Sequence, residues 1–211
     1  MSERADLGAF LLRQRGRLSA ELMAAFEATP RQDFVPEQWK DAAWSDRTVP
    51  LDCGEALEGI DLQAAVLQAL GVEPGHRVLE VGTGSGYTAA LMARLSARLT
   101  TIERFRMLSE AARQRFEAMG LTGITQRHAD GSNGLHANGP YDRIVVWAAF
   151  ESLPRTFADQ LATNGVMIAP IGPGDDLQDL ARLSKVGSRF EREDLARVRF
   201  QPIARAIATK I

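Results

Sequence analysis

Val78-Leu79-Glu80-Val81-Gly82-Thr83-Gly84-Ser85-Gly86 is the stretch whose reading decides the fold. Residues 77–81, RVLEV, read as a short apolar strand. The glycines follow it at once and open SGYTAALMARLSA, which reads as a helix. Glycine lets a chain turn sharply with positive φ and lets a ligand approach the backbone with no Cβ in the way. A glycine-rich turn from strand to helix belongs to two ligand classes. Dinucleotide sites use G-x-G-x-x-G, with the pyrophosphate on the helix N-terminus. Here the spacing is G-x-G-x-G, and Glu80 stands two residues before the first glycine. An acid there repels pyrophosphate and suits a cationic ligand.

The same alternation continues downstream. RLTTIE reads as a strand, RMLSEAARQRFEAMG as a helix, ITQRHAD as a weak strand, DRIVVWAA as a strand, LPRTFADQLA as a helix and GVMIAPI as a strand. Strands alternating with helices of this length make βαβ units on a parallel sheet. Beyond Gly174, DLQDLARLSKV, a Gly187-Ser188 turn and FEREDLARVRF read as an antiparallel hairpin that closes the sheet. The expected fold is therefore α/β: a doubly wound, mostly parallel, Rossmann-like sheet.

Upstream the texture differs. Leu7, Phe10, Leu11, Leu12, Leu18, Leu22, Met23 and Phe26 recur at helical spacing, with Gly16 as a break between two short helices. TPRQDFVPEQW is a turn-rich connector. LDCGEALEGIDLQ reads as a loop, and the helix after it is expected to start with Asp61 as N-cap and to end at Gly71. Residues 1–211 are expected to form a single domain, with 1–75 as a helical and substrate-loop region and 76–211 as the cofactor-binding sheet.

Composition bounds the partners. Of 211 residues, 45% are apolar and 25% charged, ordinary globular values; 25 Lys and Arg against 27 Asp and Glu give a net charge of −2. That balance argues against nucleic-acid backbone binding, which needs clustered cations. The lone cysteine, Cys53, forms no internal disulfide or Cys-x-x-Cys site, and reads as a small apolar residue. His76, His128 and His136 lack the spacing of paired ligands, so no metal site is expected. The first residues mix charge with apolar side chains, unlike a signal peptide, and no apolar run is long enough for a membrane span. The reading is of a soluble, cytoplasmic protein. Trp39, Trp44 and Trp147 read as packing residues, and the arginines between 189 and 205 as hairpin surface.

Three acids fall at three successive strand ends. Glu80 precedes the glycine loop, Glu103 ends TTIE, and Asp130-Gly131 follow the third strand. Glu-x-Gly-x-Gly-x-Gly resembles the cofactor loop of class I S-adenosyl-L-methionine (SAM) methyltransferases, and more of the chain resembles one family among them, the protein-L-isoaspartate O-methyltransferases. Pro30-Arg31-x-x-Phe34-Val35-Pro36-Glu37, Asp46-Arg47-x-x-Pro50-Leu51, Leu79 to Ala90, Ile102-Glu103-Arg104, Asp130-Gly131, Tyr141-Asp142-x-Ile144-Val145-Val146, Asn164 to Gly172 and Val198-Arg199-Phe200-x-Pro202-Ile203 carry the resemblance. It implies a seven-stranded sheet, SAM as cofactor, and methyl transfer to isoaspartyl carboxylates of damaged proteins or peptides. By the same resemblance Glu80 with Gly82, Thr83, Gly84, Ser85 and Gly86 would hold the methionine part, Glu103 and Arg104 the ribose end, and Asp130 with Gly131 the adenine. The resemblance names no catalytic side chain for this sequence and no oligomeric state.

The resemblance breaks in the substrate loop. Family members typically read Gly-x-Thr-Ile-Ser-Gln-Pro; this chain reads Gly54-Glu55-Ala56-Leu57-Glu58-Gly59-Ile60. Both hydroxyls are gone and a carboxylate stands at position 58. If Glu58 points inward, a like charge about 4 Å from an anionic acceptor costs on the order of 4 kcal/mol at an effective dielectric near 20. An amine or hydroxyl acceptor would then be favoured, or a protein that binds SAM without chemistry. If Glu58 points outward, the family activity is compatible with it.

Overall fold

The computed structural model describes residues 3–96, 98–187 and 189–208. Helices α1 (Glu3–Gln14) and α2 (Ala20–Glu27) are separated at Gly16, which adopts a φ of 77°. Ser19 caps α2, its hydroxyl accepting from the Leu22 N–H. The loop expected at 51–63 holds one strand of a two-stranded ribbon: β2 (Ala56–Leu57) pairs antiparallel with β1 (Val49–Pro50), which lies just ahead of it. Helix α3 (Ile60–Leu70) starts from Gly59, not from Asp61. Asp61 lies in the first turn, and its carboxylate accepts from Arg13 and Gln14 of α1 instead. Gly71 ends α3 in the left-handed conformation, as expected.

The main sheet follows. Its elements are β3 (Arg77–Val81), α4 (Tyr87–Leu95), β4 (Arg98–Glu103), α5 (Arg106–Ala118), β5 (Ile124–His128), β6 (Tyr141–Val146), α6 (Arg155–Gln160), β7 (Leu161–Ile171), β8 (Gln178–Val186) and β9 (Arg189–Val198). The helix expected over 153–162 is shorter, because β7 already begins at Leu161. Ser188 of the expected hairpin turn lies outside the described residues. The strand order is β5-β4-β3-β6-β7-β8-β9. The first five of these strands run parallel, and β8 and β9 complete the sheet antiparallel. The fold is the mostly parallel, Rossmann-like sheet that the strand and helix alternation implied.

Strand alternation divides the core into two faces. Val78, Leu99, Val145 and Ile168 point to one side, against α1 to α5 and the N-terminal connector. Leu79, Val81, Ile102, Ile144 and Val146 point to the other, against Phe150 and Phe157. Both faces are buried, as in parallel sheets covered by helices. The chain order reverses between β3 and β6, so the crevice that such sheets open belongs at the carboxyl ends of these two strands.

Candidate active site

The crevice lies at that switch point. It is bounded by Val81 and Gly82 after β3, Glu103 and Arg104 after β4, Ala129 and Gly131 after β5, and Trp147 after β6. Glu55 and Ala56 reach it from the substrate loop, and Gln201 to Ala204 border it on the far side; its volume is about 150 Å³. A larger cleft, about 950 Å³, lies at the amino ends of β3 to β5, between α2, α3 and α4. It is broad and open, and it meets neither the glycine loop nor Glu103. The chemistry points to the smaller space.

The glycine loop turns through positive φ at Gly82, Gly84 and Gly86 (94°, 53° and 89°). At Gly86 a Cβ would meet the Phe116 ring at 2.9 Å, so glycine lets α5 pack onto the loop. Four of the loop donors are taken up within the protein. Gly82 and Thr83 donate their N–H groups to the Ile102 carbonyl, Gly86 donates to the Thr83 carbonyl, and Gly84 donates to Glu103 Oε2 at 2.9 Å. A phosphate cradle needs such N–H groups free. The N–H groups of Gly82, Thr83, Gly84 and Gly86 are therefore not free for a phosphate, which agrees with the choice of a cationic ligand.

Glu80 sits apart from the crevice. It shares a strand face with Val78, which aims it at α4, and it is fully buried. Its Oε1 accepts from Thr88 Oγ1 and from Trp147 Nε1 (3.0 Å), and its Oε2 accepts from Thr101 Oγ1 (2.7 Å). Burial pushes the carboxyl up to about 7, against the pull of those three donors. Glu80 thus ties β3, β4, α4 and the end of β6 together beneath the loop. Thr83 is likewise buried and shares a 2.6 Å hydrogen bond with Thr101. The Ser85 hydroxyl is buried without a hydrogen-bond partner, and the Ser85 carbonyl accepts from Arg115.

Glu103 does face the crevice. It is nearly buried; its Oε1 accepts from the Phe105 N–H (3.0 Å) and its Oε2 from Gly84. Burial raises its carboxyl, and these backbone N–H groups oppose the rise. A carboxylate has about four acceptor sites. Gly84, Phe105 and Arg104 use part of this capacity through backbone N–H groups, and the remainder is available to a ligand hydroxyl. Gly131 lines the crevice so closely that a Cβ there would lie 2.6 Å from Val81 Cγ1. Asp130 does not line it: Oδ1 accepts from the Ser132 N–H at 2.8 Å and Oδ2 from the Ala206 N–H at 2.7 Å.

The sequence leaves the orientation of Glu58 in the substrate loop open. Ala56 and Glu55 line the crevice, Leu57 is buried, and Gly54 accepts from Gln201 Nε2 through its carbonyl. Glu58 turns away. Its carboxyl lies 3.5 Å from Thr48 Oγ1 and close to Arg31; burial raises it, and Thr48 and Arg31 lower it. The crevice acid of this loop is Glu55, raised by burial and then by the charge of Glu103. Cys53 is a half-buried loop residue at a φ of 62°, not a core residue. Trp44 packs against Phe10 as expected, whereas Trp147 both lines the crevice and holds Glu80. Nothing in the sequence distinguishes Trp147 or Glu55 from their neighbours. No group of three or more acids, histidines or cysteines could hold a metal among the described residues.

The family model "Protein-L-isoaspartate(D-aspartate) O-methyltransferase (PCMT)" matches residues 4–208. The chain belongs to the protein-L-isoaspartate O-methyltransferase family. It is 43% identical over 201 residues to the protein-L-isoaspartate O-methyltransferase of Rhizobium meliloti (strain 1021), covering 95% of this chain and 98% of that one. The Azorhizobium caulinodans protein of the same name is 40% identical over 209 residues, covering 98% and 96%. Among solved structures, one titled protein-L-isoaspartate O-methyltransferase superposes with a TM-score of 0.84 at 24% identity, over 98% of this chain and 67% of that one. Another, described as a Plasmodium falciparum protein-L-isoaspartate O-methyltransferase in complex with S-adenosyl-L-homocysteine, gives 0.80 at 22% identity, over 93% and 97%. The fold of this family member is thus shared along nearly its whole length.

Proposed function

We propose that this chain is a SAM-dependent methyltransferase that esterifies the carboxylate of isoaspartyl residues in damaged proteins or peptides, as a repair step in the cytoplasm. The observation that carries the reading is the crevice itself: a switch-point site whose glycine loop uses the N–H groups of Gly82, Thr83, Gly84 and Gly86 internally and whose lining carries the carboxylates of Glu103 and Glu55. The residues present fit a cationic nucleoside ligand. When bound, SAM supplies a methyl group on a cationic sulfur, which a carboxylate oxygen attacks in line to give a methyl ester and a neutral thioether.

The chain's own residues do the rest. Glu103 would accept from the ribose hydroxyls with its remaining lone pairs. Gly131 and Val81 would pass the flat base close to the backbone. Gly84, held by Glu103, keeps the loop open toward Leu51, the nearest atom to its absent Cβ at 3.6 Å. The acceptor is ionised at neutral pH, with an ordinary pKa near 4, so no general base is needed. In-line placement is the main requirement, a proximity effect of up to roughly 7–11 kcal/mol in favourable systems. Ala56 on the crevice rim leaves room for the acceptor, and the turning away of Glu58 removes the repulsion that an inward carboxylate would impose.

Incubation with methyl-labelled SAM and a peptide carrying isoaspartate, beside the same peptide carrying aspartate, tests the proposal. Base-labile label on the isoaspartyl peptide alone supports it. Label on small amines but not on that peptide overturns it.

A further inference from the structure

Three segments that methyl transfer must keep in register meet beside α5. The glycine loop borders the donor side of the crevice. The turn Asp52–Gly54 opens the substrate loop. The connector Arg31–Phe34 is tied to that loop where Arg31 donates to the Glu58 carbonyl. One side chain of α5 stands among all three. Arg115 Nε donates to the Asp33 carbonyl at 2.9 Å, and Arg115 Nη1 donates to the Ser85 carbonyl at 3.0 Å. The guanidinium also lies 6.0 Å from the centre of the Phe34 ring. The helix packs against the Asp52–Gly54 turn. Burial lowers the pKa of Arg115, and the charge of Asp52, then that of Asp33, opposes the fall.

Each segment keeps its own shape without this arginine. The N–H groups of the glycine loop are held by Ile102, Glu103 and Thr83, and the Phe116 ring packs against Gly86. The connector is pinned by Arg31, which donates to the Ala43 and Glu58 carbonyls and to Gln63. The segments lack other ties to each other. Among the described residues, the hydrogen bonds of Arg115 make the only polar bridge between residues 82–86 and the first 60 residues. A guanidinium suits this place because its donors spread in a fixed fork that spans two carbonyls, whereas a Lys ammonium is a compact point donor.

We propose that Arg115 is a positioning residue that sets the register between the glycine loop, which holds the methyl donor, and the substrate loop, which receives the acceptor. The proposal rests on the methyltransferase reading of the same crevice. In-line transfer is sensitive to placement, and a displacement of about 1 Å can cost about a hundredfold in rate. Loss of Arg115 leaves the internal bonds of the glycine loop in place and removes its attachment to Asp33. The chemical step is therefore expected to slow while the cofactor site stays competent to bind.

Two measurements on the full chain separate the register from the site. One is S-adenosyl-L-homocysteine affinity by calorimetry. The other is kcat for methylation of an isoaspartyl peptide, with SAM and peptide both saturating. Wild type is compared with Arg115→Gln, Arg115→Lys and Arg113→Gln; Arg113, on the same helix, is exposed and pairs with Glu117. Arg115→Gln is expected to lower kcat at least about tenfold while the Kd moves less than about threefold. Arg115→Lys should recover part of the rate, and Arg113→Gln should change neither quantity. Arg115→Lys keeps the charge beside Asp33 and Asp52, and it carries the same comparison if Gln prevents folding. A wild-type kcat in Arg115→Gln overturns the proposal and leaves the cofactor reading intact. So does a Kd that rises in step with the fall in kcat, because Arg115 then serves cofactor binding and not the register. Full recovery by Arg115→Lys overturns the two-carbonyl span and leaves only a charge. A wild type that binds no S-adenosyl-L-homocysteine, or binds it and leaves the peptide unmethylated, overturns the functional reading and the proposal with it.

Discussion

Replacing Glu80 by Gln changes one proton in the most enclosed polar cluster of the protein. The folded chain holds the Glu80 carboxyl up to about 7, from an ordinary value of 4.5, because burial disfavours the charged form. An acid whose pKa is raised on folding binds its proton more tightly in the folded state. The folded chain therefore carries more protons than the unfolded chain between about pH 4.5 and 7, and stability falls as pH rises through that window. At about 1.4 kcal/mol for each pH unit, the loss from this group totals about 3 kcal/mol, complete above pH 7. Gln removes it while keeping the shape. Its Oε1 can accept from Thr88 and Trp147, as Glu80 Oε1 does. Its Nε2 can donate to Thr101 Oγ1, which then gives its own proton to Thr83 across their 2.6 Å contact. Urea denaturation of both proteins at a series of pH values from 4.5 to 8 isolates the effect, since the other titrating groups cancel in the difference. The stability of Glu80→Gln relative to wild type is expected to rise by about 3 kcal/mol across the series. A difference that stays flat with pH would refute the reasoning, because it would mean that the three donors fully replace the lost hydration.

Gly86→Ala places a Cβ 2.9 Å from the Phe116 ring at a backbone φ of 89°, so thermal denaturation should show a loss of about 1–3 kcal/mol. Glu55→Gln removes the loop carboxylate that shares the crevice with Glu103; the KM for an anionic isoaspartyl peptide should fall about fivefold, the equivalent of about 1 kcal/mol for a like charge in water-like surroundings. Peptide KM values unchanged by this variant would remove Glu55 from the acceptor side. Glu58→Gln should leave that KM within about twofold, because its carboxyl lies toward Thr48 and Arg31 and not toward the acceptor.

The sheet was legible because its code is local. RVLEV, RLTTIE and IVV are apolar runs bounded by turns, and two-sided burial follows from runs that do not alternate. The same pleat carries information that the motif obscured. Val78 and Glu80 lie two residues apart and must share a face, so once Val78 belongs to the helix side, Glu80 belongs there too, under the loop. Reading Glu80 as a ligand contact followed the glycine motif; strand alternation places it with Thr88 and Thr101. The boundaries that went astray, Asp61 and Leu161, were decided by partners distant in sequence: Asp61 is drawn to Arg13 and Gln14, and Leu161 is recruited into β7 opposite Tyr141.

The substrate loop was not legible for the same physical reason. Its orientation is set by Arg31, a fully buried cation. The guanidinium donates to the Ala43 and Glu58 carbonyls and to Gln63, and it lies 4.6 Å from the centre of the Tyr87 ring. Burial lowers its pKa to about 10, and the proximity of Glu58 works against that loss. A buried cation is costly unless it is hydrogen-bonded and offset by an opposite charge. The carbonyl of Glu58 meets the first need and its carboxylate helps with the second. The acid that stands where the family typically has a serine thus answers a charge within the protein, and the separation of 27 positions between Arg31 and Glu58 hides that proximity from any local reading of the loop. The carboxylate of this loop that shares the crevice with Glu103 is Glu55, where burial and the charge of Glu103 outweigh the opposing charge of Arg104.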